Sequence, residues 1–503
     1  MKVLLLASLA ACTPMRQNDH IPAWVSDTSS FGPAVSPSPS IADQYREVAA
    51  KIIATAKADR GAYAKLSQLT DRIGHRLAGS PELDKAIAWA VQTMKDDGLA
   101  ARTEKVMVPH WVRGDEEAAL LAPVARPLPV LGLGGTVPTP KGGITANVVV
   151  VHDWAELEAR AAEVKGSIVL YDVAMPPWTP DKGNYGYGVA VPYRGRGPSR
   201  AAKLGAVGVL MRSVTPHSLH TLHTGALNYD PEQPKIPAAA ITVEDSQLIA
   251  RLAAAGPVQV RLRLESQVLP DVESANVLGE LTGREKPDEV VVIGGHIDSW
   301  DVGQGAHDDG AGCVAMMQAA AVLKKMGLVP RRTIRVVLFT NEENGTRGAK
   351  AYATDHATEL PKHVAAVESD GGGFAPRDFI MKAPADVAPR AKKRLEDLLS
   401  LLRPLQSSLL ITGDRSGTDV EPMVAGGVPT LEILSANQTY FDFHHTDADT
   451  LDKVDPAELA EQVAAMAVFA YVVADMPDRL DTPFPGDPAA AVPPVKTEPP
   501  KRP

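Results

Sequence analysis

Five short stretches of this 503-residue chain carry histidine, aspartate or glutamate side chains close together. Taken singly, such residues are commonly helix caps or hydrogen-bonded pairs. Gathered at one place, their carboxylates would repel one another unless a cation compensated them. Nitrogen and oxygen ligands without cysteine suit a catalytic zinc site and are also compatible with manganese or cobalt. The stretches that predict this metal site are His296-Ile297-Asp298, His307-Asp308-Asp309, Glu342-Glu343, Glu368-Ser369-Asp370 and His444-His445.

Apolar segments precede three of these stretches and predict how they are positioned. Strands are expected at Val290–Gly294, Thr333–Thr340 and Val364–Val367, and a helix is expected from Gly312 to Met326, where Gly327 ends it. Continuous apolar strands that alternate with helices are typical of an α/β sheet covered on both faces. Such sheets bind ligands at the carboxyl ends of their strands. The polar stretches are therefore expected to converge at one edge.

The pattern of apolar residues is different between residues 118 and 267. Short apolar runs, broken by Gly and Pro, predict a β-rich second domain with only short helices. Helical patterns precede this segment, including one that begins at Ser80-Pro81, and the α/β alternation follows it, so it is interpreted as an insertion. The predicted division is residues 42–117 with 268–481 for the catalytic domain and residues 118–267 for the insertion. The strands expected within the insertion lie at 147–152, 166–171, 205–211 and 238–242.

The first residues are typical of a secretory signal. Lys2 is followed by an apolar run that is too short to span a bilayer and ends in Leu9-Ala10-Ala11-Cys12, which resembles a bacterial lipobox. The alternative is an ordinary signal peptide. We assign residues 1–17 to this region, residues 18–41 to a flexible tether and residues 482–503 to a disordered Pro-rich tail. The expected location is extracytoplasmic, as a periplasmic or outer-membrane lipoprotein or as a secreted protein.

Composition restricts the function further. Hydrophobic residues make up 45% and charged residues 22% of the chain, which is ordinary for a globular protein of two domains. The net charge of −10 is spread along the sequence without a polybasic patch, which argues against nucleic-acid binding. Contact with a membrane is expected only through a lipid on Cys12. Cys313 is the only other cysteine, so no disulfide framework is expected.

Longer strings of sequence carry a specific resemblance. GGHIDSWDVGQGAHDDGAG, FTNEENGTRGA, ESDGG and FHHTDADT resemble the metal motifs of the co-catalytic zinc peptidases related to bacterial leucyl aminopeptidases. Within this family the resemblance is greatest to the plasma glutamate carboxypeptidase branch, and it extends over about residues 42–477. It implies a mixed, mainly parallel α/β sheet sandwiched by helices. It also implies that the inserted β-rich segment is a protease-associated (PA) domain and that a homodimer forms.

The resemblance implies a role for each polar stretch. Asp308 would bridge two zinc ions, with His296 and Asp370 completing one site and Glu343 and His445 the other. Glu342 would be the general base that activates the bridging hydroxide, and Asp298 would fix the tautomer of His296. Asp309 and Glu368 are expected to support these residues from behind, and His307 is expected to be exposed.

The implied reaction is exopeptidase cleavage of short peptides, and the sequence leaves the terminus open. Aminopeptidase, dipeptidase and carboxypeptidase action are all compatible with the motifs. The alternatives are a non-catalytic PA-domain binding protein and a single-zinc acyl-transfer or cyclising relative, both of which are expected to lose ligands that this chain retains. The residues that are candidates for substrate binding are Ser416, Gly417, Thr418 and Asp419 in one loop, together with Tyr440 and His444.

Overall fold

The computed structural model of the chain describes residues 40–179, 183 and 185–484. The predicted lipobox and Cys12 lie outside the described residues, as do nearly all of the predicted tether and tail. The helices are α1 (Ile41–Ala58), α2 (Gly61–Arg72), α3 (Pro81–Asp96), α4 (Trp154–Ala159), α5 (Ala161–Val164), α6 (Tyr185–Lys203), α7 (Val243–Ala255), α8 (Ala311–Lys325), α9 (Arg347–Asp355), α10 (Ala388–Leu399), α11 (Tyr440–Phe443) and α12 (Pro456–Asp475).

The strands form two eight-stranded sheets. In chain order they are β1 (Ala100–Val112), β2 (Glu116–Ala122), β3 (Arg126–Leu128), β4 (Leu131–Gly132), β5 (Ile144–Val151), β6 (Ile168–Tyr171), β7 (Gly208–Arg212), β8 (Ala238–Ile241), β9 (Gln259–Leu264), β10 (Gln267–Leu281), β11 (Lys286–His296), β12 (Arg332–Phe339), β13 (His363–Glu368), β14 (Pro376–Lys382), β15 (Leu409–Thr412) and β16 (Thr430–Ser435).

The first sheet has the strand order β1-β10-β12-β11-β13-β16-β14-β15. Its four central strands, β12, β11, β13 and β16, are parallel, and antiparallel strands flank them on both sides. Alternate residues of β11 enter different cores, because successive side chains of a strand point to opposite faces. Val291 and Ile293 pack with α1, α8 and α12, whereas Val290 and Val292 pack with α9. Helices cover both faces, which confirms the predicted mixed, mainly parallel α/β sheet sandwiched by helices.

Helix α3 begins where the sequence predicts. Ser80 caps α3, accepting a hydrogen bond from the Leu83 N–H at 3.2 Å, and Pro81 occupies its first turn. Within the described part of the chain, α12 is the one helix long and apolar enough to cross a bilayer. Most of its surface is buried against the first sheet and α1, as befits a central core helix.

The second sheet is built from the strands between Glu116 and Leu264, in the order β3-β2-β9-β5-β6-β7-β8-β4. Its parallel strands β5, β6, β7 and β8 coincide with the four strands predicted there. One of its cores also contains Phe374, Tyr440 and Phe441, which belong to the part of the chain that forms the first sheet. The two sheets therefore share apolar packing beside α11.

One prediction for this region is wrong. Only short helices were expected between its strands, but α6 is 19 residues long and contains Pro192 and Pro198. Gly and Pro disfavour helix in isolation, and this segment contains four glycines and two prolines. Its helix is held by burial, since Ala190, Ala201 and Ala202 pack into the core of the second sheet.

Candidate active site

The polar stretches meet at the carboxyl ends of the parallel strands of the first sheet. His296 is the last residue of β11, Glu342 and Glu343 follow β12, and Asp370 follows β13. Asp308 lies in the kinked segment before α8, and its backbone departs from helical angles there. His444 and His445 directly follow α11. Five separate segments of the chain thus deliver side chains to one place, as the strand ends predict.

Asp308 lies between two imidazoles. Its Oδ1 atom is 3.3 Å from Nε2 of His296, and its Oδ2 atom is 3.3 Å from Nε2 of His445. Asp370 Oδ1 lies 3.4 Å from Nε2 of His296, and Glu343 Oε2 lies 3.1 Å from Nε2 of His445. The result is two adjacent groups, each of one histidine and one carboxylate, that share Asp308.

The spacing of these atoms fits zinc. Ligands about 2.0–2.1 Å from a tetrahedral zinc ion are separated from one another by about 3.3 Å. The four nitrogen–oxygen separations around Asp308, from 3.1 to 3.4 Å, match this value. The donors are imidazole nitrogens and carboxylate oxygens, which zinc accepts at catalytic sites.

Several oxygen atoms of the cluster have no hydrogen-bond donor among the described residues. They are Asp308 Oδ2, Glu343 Oε1 and Asp370 Oδ1, and each is buried. Burial and the nearby Asp308 raise the pKa of Glu343 to about 7, and burial and like charges also raise the pKa of Asp370. Unpartnered buried carboxylates of this kind are costly without a cation. The residues present therefore fit a divalent metal.

Both imidazoles turn Nε2 toward the carboxylates because Nδ1 is bound on the other side. Nδ1 of His296 lies 3.0 Å from the backbone carbonyl of Asp298, and Nδ1 of His445 lies 3.2 Å from the backbone carbonyl of Thr224. A carbonyl can only accept, so each Nδ1 carries a proton, and a neutral ring then has its lone pair at Nε2. This is the tautomer that a metal ligand needs at Nε2.

The predicted role of Asp298 requires a correction. Its carboxylate is 4.0 Å from Nδ1 of His296, beyond hydrogen-bond distance, and its backbone carbonyl is the atom that holds the ring. The carboxylate instead accepts the N–H groups of Glu342 at 3.1 Å and Glu343 at 3.3 Å. Asp298 therefore fixes the turn that presents both glutamates.

Asp309 and Glu368 also act on the backbone of the site. Asp309 accepts the N–H of His296 at 3.1 Å and the N–H of Gly312 at 3.0 Å, so it ties the end of β11 to the start of α8. Glu368 accepts the N–H of Asp419 at 2.7 Å. Asp309 therefore holds two segments that carry the cluster, whereas Glu368 holds the loop at Asp419.

His445 adopts a left-handed backbone conformation with φ of 63°. A residue other than glycine rarely adopts this conformation, and where it occurs the surroundings must hold it. His444 precedes it, and the two rings stack with centroids 3.5 Å apart. Nε2 of His444 is 3.6 Å from Asp308 Oδ2, whereas His445 approaches both Asp308 and Glu343. Geometry thus favours His445 as the ligand and places His444 at the rim of the cluster.

The prediction that His307 is exposed is wrong, because only 1% of its surface is accessible. Its ring is stacked between Phe374 and Phe443, and Nδ1 accepts the N–H of Gly373 at 3.1 Å. Burial lowers the pKa of His307 to about 4, so the ring is neutral at pH 7. Two aromatic neighbours from distant parts of the chain made this position apolar, which local sequence does not reveal.

The candidate substrate residues divide into two groups. In the loop after β15, Ser416 is buried with its hydroxyl 2.7 Å from that of Thr430, and Thr418 is exposed. A Cβ built on Gly417 would lie 2.3 Å from Glu368 Oε2, so this position has no room for a side chain. Asp419 is buried, and neither of its carboxylate oxygens has a hydrogen-bond partner in the described part of the chain. Tyr440 is buried with its ring centroid 5.1 Å from that of His444.

Two supporting residues were not assigned from the sequence. Asp449 accepts the N–H of His307 at 2.7 Å and the N–H of Asp308 at 3.2 Å, which orients the central carboxylate. Arg76 is fully buried and donates to the carbonyls of Ile297, Gln304 and Gly305, all in the loop between His296 and Asp308. Asp449 lies inside FHHTDADT, one of the strings that carry the family resemblance, and Arg76 lies within the range of about residues 42–477 over which the resemblance extends.

Comparisons with known proteins agree with this geometry. The family model described as Peptidase family M28 matches residues 276–470, which include every residue of the cluster. Carboxypeptidase Q of Rattus norvegicus is 40% identical over 441 residues, which cover 87% of this chain and 90% of the relative. A solved structure of a peptidase M28 precursor from Shewanella amazonensis has a TM-score of 0.83 at 36% identity, and the match covers 88% of this chain and 99% of that one.

A more distant structure shares the fold. The zinc aminopeptidase of Bacillus subtilis matches with a TM-score of 0.60 at 20% identity, over 84% of this chain and 96% of its own. The relative from Rattus norvegicus combines high identity with nearly full coverage of its length. The chain described here belongs to peptidase family M28.

Proposed function

We propose that this chain, a zinc-dependent exopeptidase by family, hydrolyses short peptides at the cluster around Asp308, with Glu342 as the general base. The observation that carries the proposal is the shared position of Asp308, whose two oxygens each face a different histidine at 3.3 Å. One carboxylate between two such groups suits two ions. His296 and Asp370 would hold one, and Glu343 and His445 the other.

Two zinc ions supply Lewis-acid chemistry when bound, polarising the scissile carbonyl and the attacking water. The side chains hold the ions and position the groups that react. Asp308 would offset the repulsion between two cations, and the imidazoles of His296 and His445 face it through Nε2. Asp298 holds the backbone that presents the glutamates.

Glu342 is suited to moving the proton. It is partly exposed, whereas Glu343 beside it is buried against His445. Burial and the charges of neighbouring carboxylates raise its pKa well above the usual range, so its carboxylate is unusually basic. We propose that it takes a proton from the oxygen of the attacking water and delivers it to the nitrogen of the leaving amine.

The proposal is tested with Glu342→Gln and a panel of dipeptides, N-blocked dipeptides and C-terminally amidated peptides. Turnover is expected to fall by about 100-fold to 10,000-fold, because only the proton relay is removed. Zinc per chain is expected to remain at the wild-type value of two. Comparing the turnover of peptides with blocked and free termini shows which terminus the enzyme recognises.

Glu158→Gln is the matched control, since Glu158 is an exposed glutamate on α4. It should keep full activity. Near-normal turnover of Glu342→Gln would refute the assigned base. Fewer than two zinc ions in the wild-type chain would refute the two-ion site.

We further propose that the chain is exported and anchored by a lipid on Cys12, that residues 118–267 are a PA domain and that the protein is a homodimer. The lipobox-like string supports the anchor, and the family resemblance supports the domain and the dimer. Globomycin should cause an unprocessed precursor to accumulate. Lipid attached to a Cys12→Ala protein would contradict the anchor, and a monomer in sedimentation would contradict the dimer.

A further inference from the structure

The loop between β7 and β8 of the second sheet contacts the segment of the active site that contains His444 and His445. Thr224 donates its N–H to the backbone carbonyl of His445 at 3.1 Å, and its own carbonyl lies 3.2 Å from Nδ1 of His445. One residue earlier, Nδ1 of His223 donates to the carbonyl of His444 at 2.8 Å. The two segments are thus joined by a short ladder of hydrogen bonds between parts of the chain more than 200 residues apart.

A buried arginine of α6 holds the same carbonyl. Nη1 of Arg194 donates to the carbonyl of Thr224 at 3.2 Å, and Nη2 donates to the hydroxyl of Tyr187 at 2.9 Å. Only 6% of the Arg194 surface is accessible, and Nη1 lies 3.5 Å from Nδ1 of His445. The guanidinium therefore stands on the far side of the ring from Asp308 and Glu343, where it cannot reach the reacting atoms.

Gly225 leaves the space that this arrangement needs. A Cβ built at Gly225 would lie 2.3 Å from Cζ of Arg194, and the φ of 136° also disfavours a side chain. Any larger residue must displace the guanidinium. The hydroxyl of Thr224 is fixed as well, since it donates to the carbonyl of Gly132 at 2.8 Å.

We infer that Arg194 and Thr224, both in the segment that forms the second sheet and its helices, are positioning residues for His445. Arg194 holds the Thr224 carbonyl, and this carbonyl keeps the proton of His445 on Nδ1, so that Nε2 faces Asp308 and Glu343. The left-handed backbone of His445 needs such support. The inference rests on the proposed function in one respect, which is that His445 holds a metal ion. The inserted sheet is then part of the metal centre.

The test measures zinc binding rather than turnover, by competition of the full-length chain with a chelator. Arg194→Met and Gly225→Ala should each lower the affinity for one of the two zinc ions by about 10-fold to 100-fold. This is the usual effect of disturbing the hydrogen-bond partner of a ligating histidine. The other ion, at His296 and Asp370, should bind as in the wild type. Cobalt substitution gives a second readout, since the absorption of one site alone should change.

Arg196→Met is the matched control, because Arg196 lies on the same helix and is exposed. It should bind both ions normally.

His445→Ala separates the two proposals. If it loses one ion while Arg194→Met and Gly225→Ala keep both at wild-type affinity, the positioning role is refuted and the ligand assignment stands. If His445→Ala keeps both ions, the ligand assignment itself is refuted. Equal weakening of both ions, with an earlier thermal transition of the metal-free chain, would show a general structural role and overturn the inference.

Discussion

Two buried clusters of histidine and carboxylate side chains lie on the first sheet, and they differ in how their polar atoms are satisfied. One is the candidate metal centre that follows β11, β12 and β13. The other begins at the opposite end of β13, where Nε2 of His363 lies 2.9 Å from the Tyr352 hydroxyl and Arg335 donates to the same hydroxyl at 2.8 Å. It continues along a chain of hydrogen bonds that also includes Glu104, His356 and Glu359.

Every buried side-chain nitrogen and oxygen of the second cluster has a partner among the described residues, whereas the first cluster leaves three carboxylate oxygens without one. In the second, His356 lies between Glu104 at 2.9 Å and Glu359 at 3.0 Å, and Arg335 pairs with Glu280 at 2.8 Å. Composition alone does not separate a metal site from a structural network. Several unsatisfied carboxylate oxygens gathered at one place do separate them, because buried polar groups normally have partners and a bound cation would supply them.

Replacing the shared carboxylate should give the largest effect. Asp308→Asn removes the charge that both proposed ions share, so kcat/KM should fall by at least about 1,000-fold and both zinc ions should bind more weakly. The measurements are kinetics with a dipeptide and zinc per chain after dialysis against a chelator. Retention of two tightly bound ions in this variant would break the comparison, because the first cluster would then not depend on its central carboxylate.

Neutralising a carboxylate of the second cluster should give the converse result. Glu104→Gln removes the charge facing His356 and Arg102, and the free energy of unfolding should fall by about 1–3 kcal/mol. Urea denaturation of the metal-free chain measures this loss. Zinc content and kcat/KM should stay at wild-type values. A loss of zinc would show that the two clusters are coupled.

The smallest effect concerns pH. Hydrogen bonding to Glu104 raises the pKa of His356, so its folded-state pKa exceeds the value of about 6.5 in the unfolded chain. The stabilisation from this pair is complete below that pH and is lost as pH rises through the folded-state pKa. Thermal unfolding of the metal-free chain between pH 6 and pH 9 should therefore show a decline that is reduced in His356→Gln. An identical decline in both proteins would contradict the assignment.

Much of the site could be predicted from the sequence because its signals are local. Apolar runs predict where β11, β12 and β13 lie, and polar residues directly follow each run. The motif strings distinguish Glu342 from Glu343 by their place in the family pattern. The atom through which Asp298 acts could not be predicted, because it depends on whether the side chain or the carbonyl turns toward His296. The burial of His307 depends on Phe374 and Phe443, which adjoin it only in the folded chain.

The sequence by itself determined the residue types of the candidate metal site, the strands that carry them and the family to which the chain belongs, since these follow from residue order over short distances. Tertiary structure alone decided which contacts complete the site. The helix α6 forms against its local propensity because burial stabilises it, and it carries Arg194 to a carbonyl that lies beside His445. Contacts between Thr224 and His445 span 221 residues, and no local pattern encodes such a pairing, because it arises from how the two sheets pack.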